Sequence, residues 1–268
     1  MPLLQLPEPY DFALSTERFR AFGPDLANLW HEGGLHRVVG GREVRVEPAP
    51  GGVDVEPLDA ETEPVVRKVL GLSFDLAAFT AFAAGHPQLA DLARRLRGFR
   101  PPLVPDPFEM LVGSIVSQQV SLFSAFAIRN RLVESFGERA DHAYAFPTRD
   151  RLASAHDGEL VALGFSRRKA DYVLGIARGD LDLDALATLP GDEVKRRLVA
   201  VRGLGEWSAD WYLARHLGRP EAWPAGDLVL RRTVEALYRD EDARTAGRHF
   251  APFQNLSAHY LLLGLRTP

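Results

Sequence analysis

The sequence predicts a mostly α protein with an α+β domain at its N-terminus. Three observations lead there. Two β-rich runs flank Gly40-Gly41-Arg42 near the start, four prolines fall between Pro101 and Pro107, and from Phe108 onward apolar residues recur at helical spacing. The expected division is residues 1–99 for the α+β domain and 100–268 for an all-α domain.

Taking the chain in order, Pro9-Tyr10-Asp11-Phe12 reads as extended and Thr16 to Gly23 as a helix start. Leu35–Val39 and Glu43–Glu47 alternate or are β-branched, and the Gly-Gly turn between them favours a hairpin. Val53–Glu56 follows Gly51-Gly52 as another short strand, and Thr62–Leu70 and Leu76–Ala84 read as helices. The prolines at 101, 102, 105 and 107 forbid a helix and make a stiff connection. Asp106 then suits an N-cap, Pro107 a first turn, and Glu109 the capping-box position. Gly164 ends one helix and Ser166 caps the next, which opens on Arg167, Arg168 and Lys169. Those cations fit either a nearby anion or a solvated face. Leu186–Pro190 reads as a linker, and Asp192–Val201 as the first arm of a helical hairpin.

The length, 268 residues, allows two domains and a sizeable core, and 46% hydrophobic with 25% charged residues is the composition of an ordinary soluble protein. No apolar run reaches the length of a membrane span. The opening MPLLQLPEPYDF lacks the basic and apolar regions of a secretory signal, so a cytoplasmic location is expected. The absence of cysteine excludes disulfides, thiolate zinc sites and cysteine-ligated iron–sulfur clusters. The eight histidines show no metal-ligand spacing, so no metal site is expected. A net charge of −4 does not advertise nucleic-acid binding. The acidity belongs to residues 1–99, with ten Lys/Arg against fourteen Asp/Glu; the remainder holds twenty-two of each.

Chemistry concentrates between Val201 and Leu237. Gly203-Leu204-Gly205 opens one helix, and Pro224-Ala225-Gly226-Asp227 opens another. A Gly-x-Gly turn before a helix exposes backbone N–H groups at the positive end of the helix dipole, a natural anion site. Trp207 and Trp211 are four apart and share a helix face. Each piece also has an ordinary reading: Asp227 as an N-cap, the tryptophans as core, the glycines as a turn. Together, an amide clamp, two large aromatics and one carboxylate suit an enzyme that grips a nucleic-acid backbone and works on one base.

The residues GLGEWSAD and WPAGDLVLRR resemble the helix-hairpin-helix DNA glycosylases with a glycine/proline-rich loop and trailing aspartate (the HhH-GPD superfamily). Within them the chain looks like the 3-methyladenine DNA glycosylase II, or AlkA-type, branch. The resemblance implies a helical core with its cleft between two subdomains, preceded by a sheet-and-helix domain like half of the TATA-binding protein. It implies that Asp227 is the essential carboxylate and that Gly203 and Gly205 present amides to a DNA phosphate. SIVSQQVS is similar to the helix leading into the family's DNA-inserting loop, which puts the wedge at Gln119. Phe253 and Leu228 match base-pocket positions where the AlkA-type pattern has Trp and Tyr, so the pocket implied is Trp207, Trp211, Phe253 and Leu228. The bifunctional branch carries a lysine two positions after the second hairpin glycine. Here that position is Trp207, and the only lysines are Lys68, Lys169 and Lys195, so no strand cleavage is expected.

The implied activity is monofunctional hydrolytic excision of alkylated bases such as 3-methyladenine and 7-methylguanine from double-stranded DNA. The departures at Phe253, Leu228 and Gln119 leave room for 1-methyladenine or 3-methylcytosine. A monomer associated with the nucleoid is expected. No cofactor is required by this chemistry, although the resemblance allows a monovalent cation on the carbonyls of Val199, Val201 and Gly203. The competing reading is a catalytically silent helix-hairpin-helix DNA-binding protein. A third is a helical interaction protein whose Gly-x-Gly is a simple turn.

Overall fold

The Gly40-Gly41 turn joins two strands of a five-stranded antiparallel sheet in a computed structural model that describes residues 2–238 and 241–265. The strands are β1 (Leu3–Gln5), β2 (Leu29–His31), β3 (Gly34–Val39), β4 (Arg42–Ala49) and β5 (Gly52–Glu56), in the order β1-β5-β4-β3-β2. Both turn glycines have positive φ, 55° and 76°, which a two-residue hairpin turn demands. Register places Leu35 opposite Val46, and Arg37 opposite Val44. One sheet face thus carries Leu35, Val44, Val46, Val53 and Val55 into a core closed by Val66 and Val69. Those two belong to helix α2 (Thr62–Val69), which follows the short α1 (Phe12–Thr16). That first helix starts earlier than the expected Thr16, because Asp11 caps it by accepting from Leu14 N.

The helices α3 (Leu76–Ala84) and α4 (Pro87–Arg95) do not belong to this core. Their Phe79, Leu89 and neighbouring Leu96 and Phe99 pack with Leu230, Val234, Phe250 and Tyr260 from the end of the chain. The cores therefore divide near residue 72, not at the expected 99, and residues 74–103 join the C-terminal helices. Tyr260 fastens this union: its hydroxyl donates to Phe99 O at 2.9 Å.

The third core holds the central helices. These are α5 (Pro107–Ser117), α6 (Leu122–Phe136), α7 (Arg149–Ala153), α8 (Asp157–Ala162), α9 (Arg167–Arg178), α10 (Gly191–Val199) and α11 (Glu206–Arg215). Beyond them lie α12 (Leu228–Leu237), α13 (Ala243–Ala246) and α14 (Gln254–Gly264). The expected linker Leu186–Pro190 overlaps a 3-10 turn, Ala185–Thr188. Among the described residues, no helix is long and apolar enough to cross a membrane.

Asp106 caps α5 as expected, accepting from Glu109 N at 2.6 Å. Glu109 itself does not reach back to complete a capping box. Its buried carboxylate takes Arg37 Nη2 and Arg129 Nη2, each at 2.6 Å. Arg129 also pairs with Asp25, and Arg37 Nη1 donates to Asn28 Oδ1 at 2.7 Å. Burial alone would raise the Glu109 pKa; the two guanidiniums overcome it and hold the group below its ordinary value. The network ties β3, the 25–28 loop, α5 and α6 together. A second seam joins α2 to the end of α11, where Lys68 Nζ lies 3.2 Å from His216 Nδ1 and that nitrogen lies 2.9 Å from Val104 O. Burial, with the Lys68 charge adding to it, pushes His216 down to about 4.

Replacing Glu109 with Gln leaves two buried guanidiniums facing a neutral amide. The expected loss, read by urea denaturation, is roughly 3–5 kcal/mol. Glu63→Gln, which breaks only an exposed i,i+4 pair with Arg67, is expected to change stability by about 0.5 kcal/mol or less. Stability should also fall on acidification. Between the ordinary histidine value and about 4, the unfolded chain takes up a proton that buried His216 refuses. The contribution, present above the ordinary value, is lost as pH drops through that window, roughly 3 kcal/mol in all. His216→Asn should flatten a pH series of denaturation midpoints.

Candidate functional site

Asp227 stands at the entry to α12, and its two oxygens do different things. Oδ1 accepts from Val229 N at 3.0 Å and Leu230 N at 3.1 Å, which caps the helix. Oδ2 accepts from Trp207 Nε1 and Trp211 Nε1, each at 3.3 Å. The i,i+4 spacing on α11 aims both indole N–H groups at one oxygen. The loop before Asp227 is anchored by Trp223, whose Nε1 donates to Ala243 O at 2.7 Å and whose ring stacks on Phe250. Within the loop, Asp227 N donates to Pro224 O at 2.9 Å. Asn255 fixes the far end of α11: its side-chain amide donates to Ala214 O and Arg219 O at 3.0 and 2.9 Å.

Asp227, Trp207 and Trp211 line one cavity of about 290 Å³. Its walls come from segments far apart in the chain: Phe22, Asp25 and Asn28 from the N-terminal unit, Met110 and Ser114 from α5, Phe126 and Arg129 from α6, and Arg215 from α11. The Arg215 guanidinium lies 4.3 Å over the Trp211 ring. Behind Trp211, His259 packs edge-on at 5.6 Å. Burial, then the charges of Arg215 and Arg18, holds its imidazole well below the ordinary histidine range. An oriented carboxylate and polarizable rings can receive a flat ring and stabilise positive charge beside it.

The hairpin of α10 and α11 carries the two expected glycines, and they differ. Gly203 has φ +95°, and a Cβ there would sit 2.3 Å from the Tyr172 ring. Gly205 precedes α11 with ordinary φ, and a Cβ there would meet nothing within 4 Å. No side chain caps α11 at this end, so its first-turn amides are left without a side-chain acceptor. Gln118 Nε2 donates to Gly203 O at 2.9 Å, which ties the hairpin to the end of α5.

Gln119 is exposed between α5 and α6, with φ +56°. Phe253 and Leu228 lie apart from the cavity. Phe253, at the N-cap of α14, turns toward α3 and packs on Phe82 and Phe79 with ring centroids 5.3 and 5.9 Å away. Leu228 is the first residue of α12 and points outward, 49% exposed; its neighbour Val229 lines the cavity instead. The pocket expected from Trp207, Trp211, Phe253 and Leu228 thus keeps its two tryptophans only. Arg215 was legible, since 207, 211 and 215 continue one helix face. Phe22, Asp25 and Asn28 had no local signal, because only the tertiary fold carries them there.

The model of the HhH-GPD superfamily of base excision DNA repair proteins matches residues 112–255, from α5 into α14. The chain belongs to this superfamily. The match includes the hairpin and Asp227. Among curated relatives, the DNA-3-methyladenine glycosylase of Bacillus subtilis is 30% identical over 196 residues, covering 69% of this chain and 65% of that one. DNA-3-methyladenine glycosylase 2 of Escherichia coli is 32% identical over 181 residues, covering 65% and 61%. The chain therefore spans less than two thirds of either relative's length. Among solved structures, a 3-methyladenine DNA glycosylase from Archaeoglobus fulgidus superposes with TM-score 0.89 at 27% identity, over 99% of both chains. That superposition takes in the N-terminal sheet as well as the helices matched by the family model.

The two hairpin glycines should separate in a stability assay. Gly203→Ala must hold a left-handed backbone and displace Tyr172, and is expected to lose roughly 1–3 kcal/mol from strain alone. Gly205→Ala should melt within about 1 °C of the parent, in line with an open surface position.

Proposed function

We propose that this chain is a monofunctional DNA glycosylase that flips an alkylated base out of duplex DNA and hydrolyses its N-glycosidic bond. One observation carries the reading. Asp227 Oδ2, held by two indole N–H groups, is a fixed carboxylate on the wall of a ring-sized cavity. The names of the glycosylase relatives in B. subtilis and E. coli support the same substrate class.

A base such as 3-methyladenine or 7-methylguanine carries a positive charge and leaves readily without protonation. One carboxylate therefore suffices where ordinary glycosidases use two. The C1′–N bond breaks and its electron pair departs with the base. The Asp227 carboxylate stabilises the oxocarbenium-like sugar, and water adds its oxygen to C1′ while its proton passes through Asp227 to solvent. The half-buried Trp207 offers a ring to the cationic base, a contact worth roughly 0.5–2 kcal/mol. The amides near Gly203 and Gly205 grip a phosphate, and exposed Gln119 enters the gap left by the flipped nucleotide. With Phe253 and Leu228 outside the cavity, selectivity rests on the weakened bond more than on a tight ring stack. Trp207 in the lysine position leaves no amine for Schiff-base chemistry.

The hairpin also fits a monovalent cation on the carbonyls of Val199, Val201 and Gly203. Val201 O and Gly203 O each accept one N–H and keep a second lone pair. Such an ion would order the loop whose amides meet the phosphate.

Incubation with methylated duplex DNA should release 3-methyladenine or 7-methylguanine. Asp227→Asn keeps a good helix cap and should fold normally while losing roughly 10²–10³ in rate or more. Trp207→Ala should cost about 2- to 30-fold. Borohydride should trap no protein–DNA adduct. Normal turnover by the Asn variant removes the role of Asp227. DNA binding without base release favours the silent binder.

A further inference from the structure

The sheet brings together three histidines and a glutamate that are scattered in sequence. His36 pairs with Leu29 and Arg45 across its two neighbouring strands, and Glu43 pairs with Val38. Alternation therefore puts His31, His36 and Glu43 on one face, opposite the valine core. The loop after α6 covers that face and adds His142. It is braced from within, Ala145 N donating to Glu138 O at 2.8 Å, and from outside, Tyr144 N donating to Leu26 O at 2.9 Å.

The side chains converge on one oxygen. Glu43 Oε1 lies 2.6 Å from His36 Nδ1 and 3.2 Å from His142 Nδ1. Glu43 Oε2 is engaged separately by the backbone N–H groups of His142 and Ala143, at 2.7 and 2.8 Å. That arrangement fixes the carboxylate and leaves Oε1 to the imidazoles, as outer-shell hydrogen bonds do for a ligating carboxylate. His31 stacks on His142 at 4.6 Å and orients it. His36 meets the cluster through Nδ1, while its Nε2 is buried without a partner.

We propose that His36, Glu43 and His142 bind a divalent transition-metal ion of the zinc class, stapling the N-terminal sheet to the helical part. Their ligand atoms all lie within 4.8 Å of one another. Tetrahedral zinc, with bonds of about 2.0–2.2 Å, spaces its ligand atoms about 3.3–3.6 Å apart. The Glu43–His142 pair is near that spacing, and the Glu43–His36 pair opens by roughly 1 Å. Two imidazoles and one carboxylate without thiolate suit zinc, nickel or copper and disfavour magnesium or calcium. Water completes the shell. His142, 52% exposed at its side chain, leaves a path from solvent. On binding, the ion takes the Nδ1 lone pairs and the displaced protons move to Nε2 or to water, so affinity should fall in acid.

The test uses the full chain stripped with chelator, titrated with zinc chloride in a calorimeter and melted with and without zinc. One ion per chain is expected, with a Tm rise of roughly 5 °C or more at 100-fold the Kd. Cobalt should give the visible absorption of a tetrahedral nitrogen–oxygen site. His142→Ala and Glu43→Gln should abolish all three signals, and His142→Ala, at an exposed loop, should still fold. His156→Ala, at an exposed helix start far along the chain, should leave them unchanged. No heat and no Tm shift in the parent, or signals that survive in both cluster variants, would overturn the proposal and leave a hydrogen-bonded clasp.

Discussion

Glu109 is the charge on which the arrangement of this molecule depends. It is buried on the first turn of α5 and holds two guanidiniums, one from the sheet and one from α6. Arg37 has no other carboxylate partner in this network, and an unpaired buried charge costs far more than a pair. Asp25 and Asn28 complete the set from the loop before β2. Because Asp25, Asn28, Glu109 and Arg129 also line the cavity, the contact that docks the N-terminal unit also builds the wall of the candidate site.

Asp227 shows how a residue can satisfy two readings at once. Its capping oxygen contributes to the start of α12, worth about 1 kcal/mol for a typical cap. That bond also locks the side-chain rotamer. The second oxygen is then delivered to the indoles with little freedom left to lose. A carboxylate on a flexible loop would have to be ordered at the moment of reaction; this one is ordered by folding. The ordinary reading of the residue is therefore part of what makes the functional reading workable.

Much of this was legible in the sequence, and the misses have physical causes. The Gly-Gly hairpin, the Asp106 cap and the Trp207–Trp211 face rest on local rules, and they stand in the structure. Glu109 sits in the capping-box position, but two arginines far along the chain claim it, and charge pairing outweighs a cap. Helices α3 and α4 precede the proline break, on the sheet's side of it. Their Phe79 and Leu89 instead find partners in α12 and α14, a choice made by long-range packing that no local pattern records. Phe253 follows the same logic: it packs on the aromatic pair Phe79 and Phe82 of α3. The histidine cluster was hidden because alternation on strands, not spacing along the chain, gathers its members.

The charge balance looks different once the arginines are placed. Residues 100–268 hold as many Lys/Arg as Asp/Glu, but several of the guanidiniums donate to backbone carbonyls at or near helix ends. Arg149 donates to Ala177 O at 3.1 Å and Leu181 O at 2.9 Å; Arg131 reaches Leu163 O at 2.6 Å; Arg219 reaches Ala187 O at 2.9 Å. A planar fork of donors suits these orphaned carbonyls better than a lysine would. Such arginines are held in place by the fold rather than left free to reach a phosphate. The proposed grip on a DNA phosphate therefore falls chiefly to the open amides around Gly205, where a side chain would stand in the way. That is a reason for glycine at a position where neither backbone angle nor packing asks for one.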